Sequence, residues 1–318
     1  IEEWLMAKAH PTLKQLEMFA KTVHVPIGFL FLHEPPHESL PIPDFRAFKD
    51  RRMTKLSSDL LDTIYLYQQR QDWYHEYAMA YSLDKVDFIG TFTINTDPVL
   101  AADSIRNKLK INLEERKKLA TWTDALKNLI ANTEEAGILV MTSSIIGSNS
   151  HRKLRVDEFR GFTLADHYAP LIFINAADTK AAQMFTLAHE LAHLWLGESG
   201  IVDTEAGRLP DADNERWCNE VAAELLMPME SMKEAFQNDI PAADQIAELA
   251  RIFKVSSLVV IRRLYDAGYI NKNELWRHYS EEMKKIRPVK SGSGGGDFYR
   301  TLSARTGKLF ARAVLSST

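Results

Sequence analysis

Apolar residues recur at helical spacing along most of the chain, and three short apolar runs have the pattern of strands. Helices are predicted at residues 54–83, 98–118, 119–136, 178–197 and 214–227. Strands are predicted at residues 138–141, 159–164 and 171–175, where apolar and β-branched residues lie between turn signals. Few strands among many helices predict an α+β fold that is mainly helical, with a small sheet beside the last two helices.

Breaks in this pattern divide the chain into regions. Prolines crowd residues 35–44, and residues 290–296 read KSGSGGG, a composition typical of linkers. The predicted organisation follows from these breaks: a helical segment at 1–34, a proline-rich connector at 35–44, a helical domain at 45–136, a core domain ending in a helical pair at 137–288, and a Gly/Ser linker with a basic tail helix at 289–318.

The predicted helix at 178–197 contains the candidate metal ligands and the candidate general base. His189 and His193 are four residues apart, so both rings lie on one helix face and can reach one metal ion. Glu190 lies beside them, where a general base would act on a zinc-bound water. Capping residues stand at both ends of this predicted amphipathic helix: Asp178 or Thr179, and Gly197. The pattern indicates a zinc hydrolase.

Catalytic zinc usually takes three protein ligands, and the next helix offers candidates for the third. Glu215 is favoured, because Asn219 follows it by four residues and can hydrogen-bond a ligating imidazole from the same face. Glu220 is the reserve ligand. Glu224, among alanines and leucines, is interpreted as a solvated edge of the helix. Cys218 lies one turn from Glu215 and is interpreted as a small packed residue in preference to a thiolate ligand.

Two motifs together resemble a known family. The sequences FTLAHELAH at 185–193 and ERWCNEVAAELLMP at 215–228 resemble the ImmA/IrrE family of metallopeptidases, and the likeness continues at 158–164 and 169–175. The resemblance covers about 126–270. It implies a zincin-like peptidase core at 137–288, with His189, His193 and Glu215 binding Zn²⁺ and Glu190 in the catalytic role. It also implies cleavage of a regulatory protein, commonly a repressor or antitoxin of the helix-turn-helix type.

The N-terminal segment gives a second resemblance. Residues 13–32 contain a helix, a short break and a second apolar run, similar to the final helices of an XRE-type helix-turn-helix domain. Residues 1–34 are therefore interpreted as the remnant of such a domain, in a chain that is a fragment of a longer protein. Contact with DNA would then depend on the missing N-terminal part. The alternative is a small helical cap that packs on the next domain.

Composition limits the class of protein and the cellular compartment. Forty-five per cent of the residues are hydrophobic, enough for a large core, and no run of the length of a bilayer span or signal peptide is visible. The single cysteine, Cys218, excludes an intramolecular disulfide and fits a reducing cytoplasm. The net charge of −4 hides a basic tail, since residues 284–318 contain eight Lys and Arg and one acid, Asp297. That tail either contacts DNA or an acidic partner, or docks on its own domain.

Three other patterns allow two interpretations each. Residues 171–175 can be interpreted as an edge strand, which would bind a substrate peptide by backbone pairing, or as an interior strand of the sheet. The aromatic face of the predicted helix at 54–83 can be interpreted as a ligand site or as a surface that packs in a hydrophobic core. Residues 246–270 mimic a helix-turn-helix, but the middle of the second helix, 258–261, is too apolar for a DNA groove and favours a helical pair packed under the site.

Two functional classes follow. The first is a zinc-dependent endopeptidase that hydrolyses a peptide bond in a helix-turn-helix repressor or antitoxin. The second is a DNA- or protein-binding transcriptional regulator or toxin-antitoxin component, in which the peptidase fold binds a partner with little or no cleavage. The intact set of His189, Glu190, His193 and Glu215 favours the first class.

Overall fold

A computed structural model describes residues 1–23, 25–34, 42–43, 57–202, 213–285 and 304–317. Most of the predicted connector at 35–44, the Gly/Ser linker and the start of the predicted helix at 54–83 lie outside the described residues. The fold is α+β and mainly helical, with a small mixed sheet, as the sequence predicts. Within the described residues, no helix combines the length and the apolar character needed to cross a membrane.

Helices make up the described chain before the sheet. The first segment has two α-helices and a 3₁₀ helix, Ile27–Phe31, which packs on the second of them. The α-helices are α1 at Glu2–Leu5, α2 at Leu13–Val23, α3 at Ser58–Ala80, α4 at Pro98–Lys108, α5 at Leu113–Lys118 and α6 at Trp122–Glu135. Side-chain oxygens of Ser57, Asp97, Asn112 and Thr121 cap the last four helices at their N-termini.

Four strands form the main sheet, in the order β1-β5-β4-β6. The strands are β1 at Leu139–Ser143, β4 at Gly161–Leu164, β5 at Leu171–Asn175 and β6 at Gly200–Val202. The β1–β5 pair is parallel and the other pairs are antiparallel. A separate hairpin joins β2 at Ile145–Ile146 to β3 at Asn149–Lys153. The two segments predicted to pair with residues 171–175, at 138–141 and 159–164, therefore form the neighbouring strands β1 and β4.

The helices after β5 surround the candidate site. They are α7 at Lys180–Leu196, α8 at Asp213–Leu226, α9 at Met229–Ala235, α10 at Ala242–Phe253, α11 at Ser257–Asp266, α12 at Lys272–Lys285 and α13 at Lys308–Ser316. Helix α7 packs on α8, α6 and the sheet, while α4 packs on the far side of α8. Helix α11 packs between α10 and α12.

The sheet separates two hydrophobic cores, and alternate residues along its strands enter opposite cores. Val140, Ile172 and Ile174 join the core that contains α4, α6, α7 and α8. Leu139, Met141, Leu171 and Phe173 join the core that contains α3 and the tail helix α13. Residues from the predicted helical domain at 45–136 therefore lie in both cores, together with residues from 137–288.

Several expectations need correction. The predicted helix at 98–118 is two helices, because the chain turns at Lys110, whose φ is +51°, before Asn112 caps α5. Strand β5 is interior, so the edge-strand interpretation of residues 171–175 is wrong. Helix α7 is not amphipathic in its burial: every residue from 183 to 195 is buried, since α7 is covered by the sheet and by helices.

The tail helix explains the aromatic face of α3. Phe310 of α13 packs against Trp73 and Tyr74, and the Tyr77 hydroxyl lies 2.9 Å from the Ser316 hydroxyl. The Glu134 carboxylate also accepts hydrogen bonds from the first backbone N–H groups of α13, at 2.6 and 3.1 Å. The aromatic face is thus a packing surface, and the described part of the basic tail docks on its own chain.

The C-terminus of α7 is held by a close backbone contact. Gly197 ends the helix with φ +72°, and the backbone N–H of Gly90 donates to the Leu194 carbonyl at 3.1 Å. A Cβ at Gly197 would lie 2.9 Å from the Gly90 Cα, closer than any ordinary contact. Position 197 therefore requires glycine both for its conformation and for the space.

We expect Gly197→Ala to lower the free energy of unfolding by about 2–4 kcal/mol, from the left-handed backbone and the clash together. Gly268 is the matched control, since its φ is +79° but no atom of the described residues lies within 4 Å of an added Cβ. Gly268→Ala should cost only the conformational part, about 1–2 kcal/mol. Urea unfolding of both variants measures the difference. Equal losses would contradict a steric role for the Gly90 contact.

Candidate active site

Helix α7 sets the positions of the two histidines and of Glu190. The Thr179 hydroxyl accepts from the Ala182 N–H and starts the helix, while Asp178, the other predicted cap, pairs with Arg160. His189 and His193 are then one turn apart on the side of α7 that faces α8. Both rings are fully buried, as is Glu190.

Three predicted ligand groups converge. The His189 Nε2 and His193 Nε2 atoms are 3.0 Å apart. The two carboxylate oxygens of Glu215, on α8, lie 3.3 Å from His189 Nε2 and 3.0 Å from His193 Nε2. Glu215 is only 2% exposed. The structure thus brings the two histidines and this glutamate to one point between the helices.

The spacing of these atoms suits a divalent ion. Two ligand atoms each about 2.0–2.1 Å from one ion, at a tetrahedral angle, are about 3.3 Å from each other. The observed separations of 3.0, 3.0 and 3.3 Å are within a few tenths of that value. Two imidazoles and one carboxylate are also a donor set of catalytic zinc sites. The residues present fit such an ion, and their role as its ligands stays a prediction.

Each imidazole is oriented through its other ring nitrogen. His189 Nδ1 lies 3.1 Å from the Asn219 side-chain oxygen, the arrangement predicted from the helix spacing. His193 Nδ1 lies 3.4 Å from a carboxylate oxygen of Glu198. Partners of this kind fix which nitrogen of a histidine faces a metal. Sequence reasoning missed Glu198, although its place directly after the capping Gly197 was a usable signal.

The charges of the group are strongly coupled. Burial disfavours the ionised form of Glu215, but His189 and His193 outweigh burial and lower the pKa of its carboxyl to about 2. Burial lowers the pKa of His189. Burial acts on His193 in the same direction, but contacts with Cys218, Glu198 and Glu215 raise its pKa well above the usual value. Glu215 is therefore the negative charge around which the site is built.

Glu190 projects from α7 toward strand β4. Its Oε2 accepts a hydrogen bond of 2.6 Å from the Thr163 hydroxyl, and its Oε1 has no hydrogen-bond partner among the residues that the structure describes. Gly161 leaves the space for this carboxylate, because a Cβ there would lie 3.0 Å from Oε1 and 2.6 Å from Thr186 Cγ2. Burial raises the pKa of Glu190 to about 8. One oxygen is thus held while the other is available to take a proton.

Cys218 is the other group near the predicted ligands. It is fully buried, hydrogen-bonded to His193, and has a ligand atom within 4.8 Å of those of His189 and His193. Burial raises the pKa of its thiol to about 11, which favours the neutral form. Cys218 therefore meets the geometric conditions for a ligand, while Glu215 lies 3.0 and 3.3 Å from the two ring nitrogens and already carries charge.

The other two glutamates of α8 lie elsewhere. Glu220 is exposed and is not among the groups brought together. Glu224 is buried, which corrects its interpretation as a solvated edge: its carboxylate pairs with Arg263 of α11 and accepts from the Met229 N–H at 3.2 Å. Arg263 also donates to the Met227 carbonyl. The helical pair α10–α11 thus supports the end of α8, as the apolar middle of its second helix indicated.

A buried HExxH helix, a glutamate on a following helix and a small mixed sheet are typical of a zincin-like metallopeptidase. Comparison with known proteins agrees: residues 133–265 match the family described as the IrrE N-terminal-like domain, a peptidase family. A 92-residue stretch is 37% identical to the radiation response metalloprotease IrrE of Deinococcus radiodurans. That similarity covers 27% of this chain and 28% of the relative. Residues 133–265 are therefore similar to the IrrE type of metallopeptidase domain.

The third ligand can be tested by three substitutions on α8. Glu215→Gln should weaken zinc binding by more than the roughly 10–100-fold that is typical of residues behind the ligands. Cys218→Ser should have little effect, and the exposed Glu220 serves as the control through Glu220→Gln. Competition with a coloured chelator measures each affinity. A larger loss from Cys218→Ser than from Glu215→Gln would contradict the assignment.

The raised pKa of Glu190 predicts a pH dependence of the metal-free protein. The folded state holds this proton more tightly than the unfolded state, so its stabilising effect is complete below about pH 4.5 and is lost as the pH rises toward 8. This proton contributes at most roughly 5 kcal/mol to the free energy of unfolding. Glu190→Gln cannot titrate, so urea unfolding of the metal-free variant should change less between about pH 5 and 8 than that of the parent. Equal pH dependence would contradict the raised pKa.

Proposed function

We propose that this chain is a zinc-dependent endopeptidase that hydrolyses a peptide bond in a regulatory protein, with Glu190 as general base. The observation that carries the proposal is the convergence of His189 Nε2, His193 Nε2 and the Glu215 carboxylate within 3.0–3.3 Å. Glu190, the residue after His189, has one carboxylate oxygen without a hydrogen-bond partner among the described residues. The IrrE-type domain at 133–265 supports a peptidase over other hydrolases.

The residues divide the chemistry between them. His189, His193 and Glu215 would hold the ion, which when bound acidifies water and polarises the scissile carbonyl. Glu190 accepts the proton of the attacking water at Oε1 and passes it to the leaving amine. A base that must also donate works best with a pKa near the working pH, and the burial of Glu190 acts in that direction by raising its pKa. Thr163 keeps the other carboxylate oxygen in place.

For the substrate we propose a helix-turn-helix repressor or antitoxin, in keeping with the resemblance of the motifs to the ImmA/IrrE family. His189, Glu190, His193 and Glu215 are all at most 2% exposed, so the scissile bond would have to reach a buried site. We place this activity in the cytoplasm, where a protein with one buried thiol and a regulator bound to DNA both belong. Contact with DNA through a helix-turn-helix domain of the kind that residues 13–32 resemble is part of the same proposal.

We expect Glu190→Gln to lower the rate of cleavage of a helix-turn-helix regulator by about 10²–10⁴-fold. The substitution keeps the size of the side chain and the contact with Thr163, so zinc content should equal that of the parent. Electrophoresis of the incubated regulator, together with metal analysis of both proteins, measures the two quantities.

His193→Ala is the complementary variant, since it should lose both zinc and cleavage. Cleavage by Glu190→Gln at the parental rate would contradict the base assignment. Bound zinc with no cleavage of any helix-turn-helix regulator by the parent would contradict the peptidase proposal and favour the alternative, a regulator that uses the fold for partner binding.

A further inference from the structure

The turn that ends α7 returns the chain to His193. Gly197 adopts φ +72°, and the backbone N–H of Glu198 then donates to the His193 carbonyl at 3.0 Å. The side chain of the same residue places a carboxylate oxygen 3.4 Å from His193 Nδ1. Glu198 therefore contacts both the backbone and the ring of His193. Gly197 makes this contact available, because only the left-handed turn brings the next residue back over the helix end.

Glu198 also reaches the second helix of the site. Its Oε2, the oxygen that faces His193, accepts a hydrogen bond of 3.1 Å from the Asn214 side-chain amide near the start of α8. The side chain is 36% exposed, so it lies at the border between the buried site and the solvent. One carboxylate thus joins the end of α7 to the start of α8.

We propose that Glu198 is a positioning residue that orients His193 toward a divalent ion and strengthens its binding, so that the working motif is H-E-x-x-H-x-x-x-G-E at residues 189–198. The proposal rests on the proposed function only in that His193 binds such an ion. A carboxylate that accepts the Nδ1 proton fixes the tautomer with Nε2 unprotonated and facing the ion, and makes that nitrogen a better donor.

The two histidines are supported in different ways. His189 Nδ1 meets the neutral amide oxygen of Asn219, whereas His193 Nδ1 meets a charged carboxylate. Hydrogen bonds to an ionised acceptor are about twice as strong as those between neutral groups. Both residues are half-buried, so the comparison rests on charge, and the contribution to ion binding should be larger for Glu198 than for Asn219.

The test is the zinc affinity of the whole chain, measured by competition with a chelator for the parent and for Glu198→Gln. The glutamine keeps the size of the side chain but removes the charge, so we expect affinity to fall about 10–100-fold. Asn219→Ala should lower it by less. The control is Glu281→Gln, which alters a carboxylate beside another histidine, His278, at 3.6 Å on the distant helix α12. That control should bind zinc as the parent does.

Two further measurements distinguish the orientation of His193 by Glu198 from a role of Glu198 in folding alone. Thermal unfolding of the metal-free Glu198→Gln protein should match the parent, and the absorption spectrum of the cobalt-loaded protein should shift in Glu198→Gln but not in Glu281→Gln. Unchanged zinc affinity and an unchanged cobalt spectrum in Glu198→Gln would overturn the proposal. Because no step measures cleavage, a parent chain that binds zinc without cutting any regulator would contradict the proposed function and leave this inference standing.

Discussion

The buried charge of Glu215 is the constraint on which the rest of the site depends. A carboxylate that is 2% exposed is costly to bury unless opposite charges and hydrogen bonds meet it, and here His189 and His193 are the groups that do so. The two rings can meet it only if α7 and α8 lie side by side at one fixed distance. The packing of this helix pair, the most extensive between any two described elements, is therefore the structural requirement of the site.

Layers around the helix pair hold that arrangement. The sheet supports one side of α7 and carries Thr163, which holds Glu190, while α4 and the pair α10–α11 support α8. The end of α8 is fixed by arginines from other helices: Arg106 donates to the Glu224 carbonyl, and Arg263 to the Met227 carbonyl. Positive side chains at a helix C-terminus are favourable for its dipole. Regions far apart in sequence thus combine to fix two helices that carry the chemistry.

The sequence predicted the parts of this site that depend on local spacing. The four-residue spacing of His189 and His193 and of Glu215 and Asn219 follows from helix periodicity, and the capping roles of Thr179 and Gly197 follow from their backbone preferences. Contacts between distant segments were missed. Glu224 looked solvated because its partner, Arg263, is 39 residues away, and Thr163 gave no signal because only strand pairing places it beside Glu190. The apolar sequence of β5 also does not show whether the strand lies at the edge or in the interior of the sheet, because a strand in either place can have both faces covered.

X-ray absorption of the zinc-loaded chain is the sharpest test of the ligand set His189, His193 and Glu215, because it reports the atoms bound to the ion without requiring a substrate. We expect one zinc per chain, bound by two imidazole nitrogens and by oxygen, with no sulfur bound to the ion and with the signal lost in Glu215→Gln. A sulfur ligand from Cys218, or a chain that binds no zinc, would contradict this ligand set.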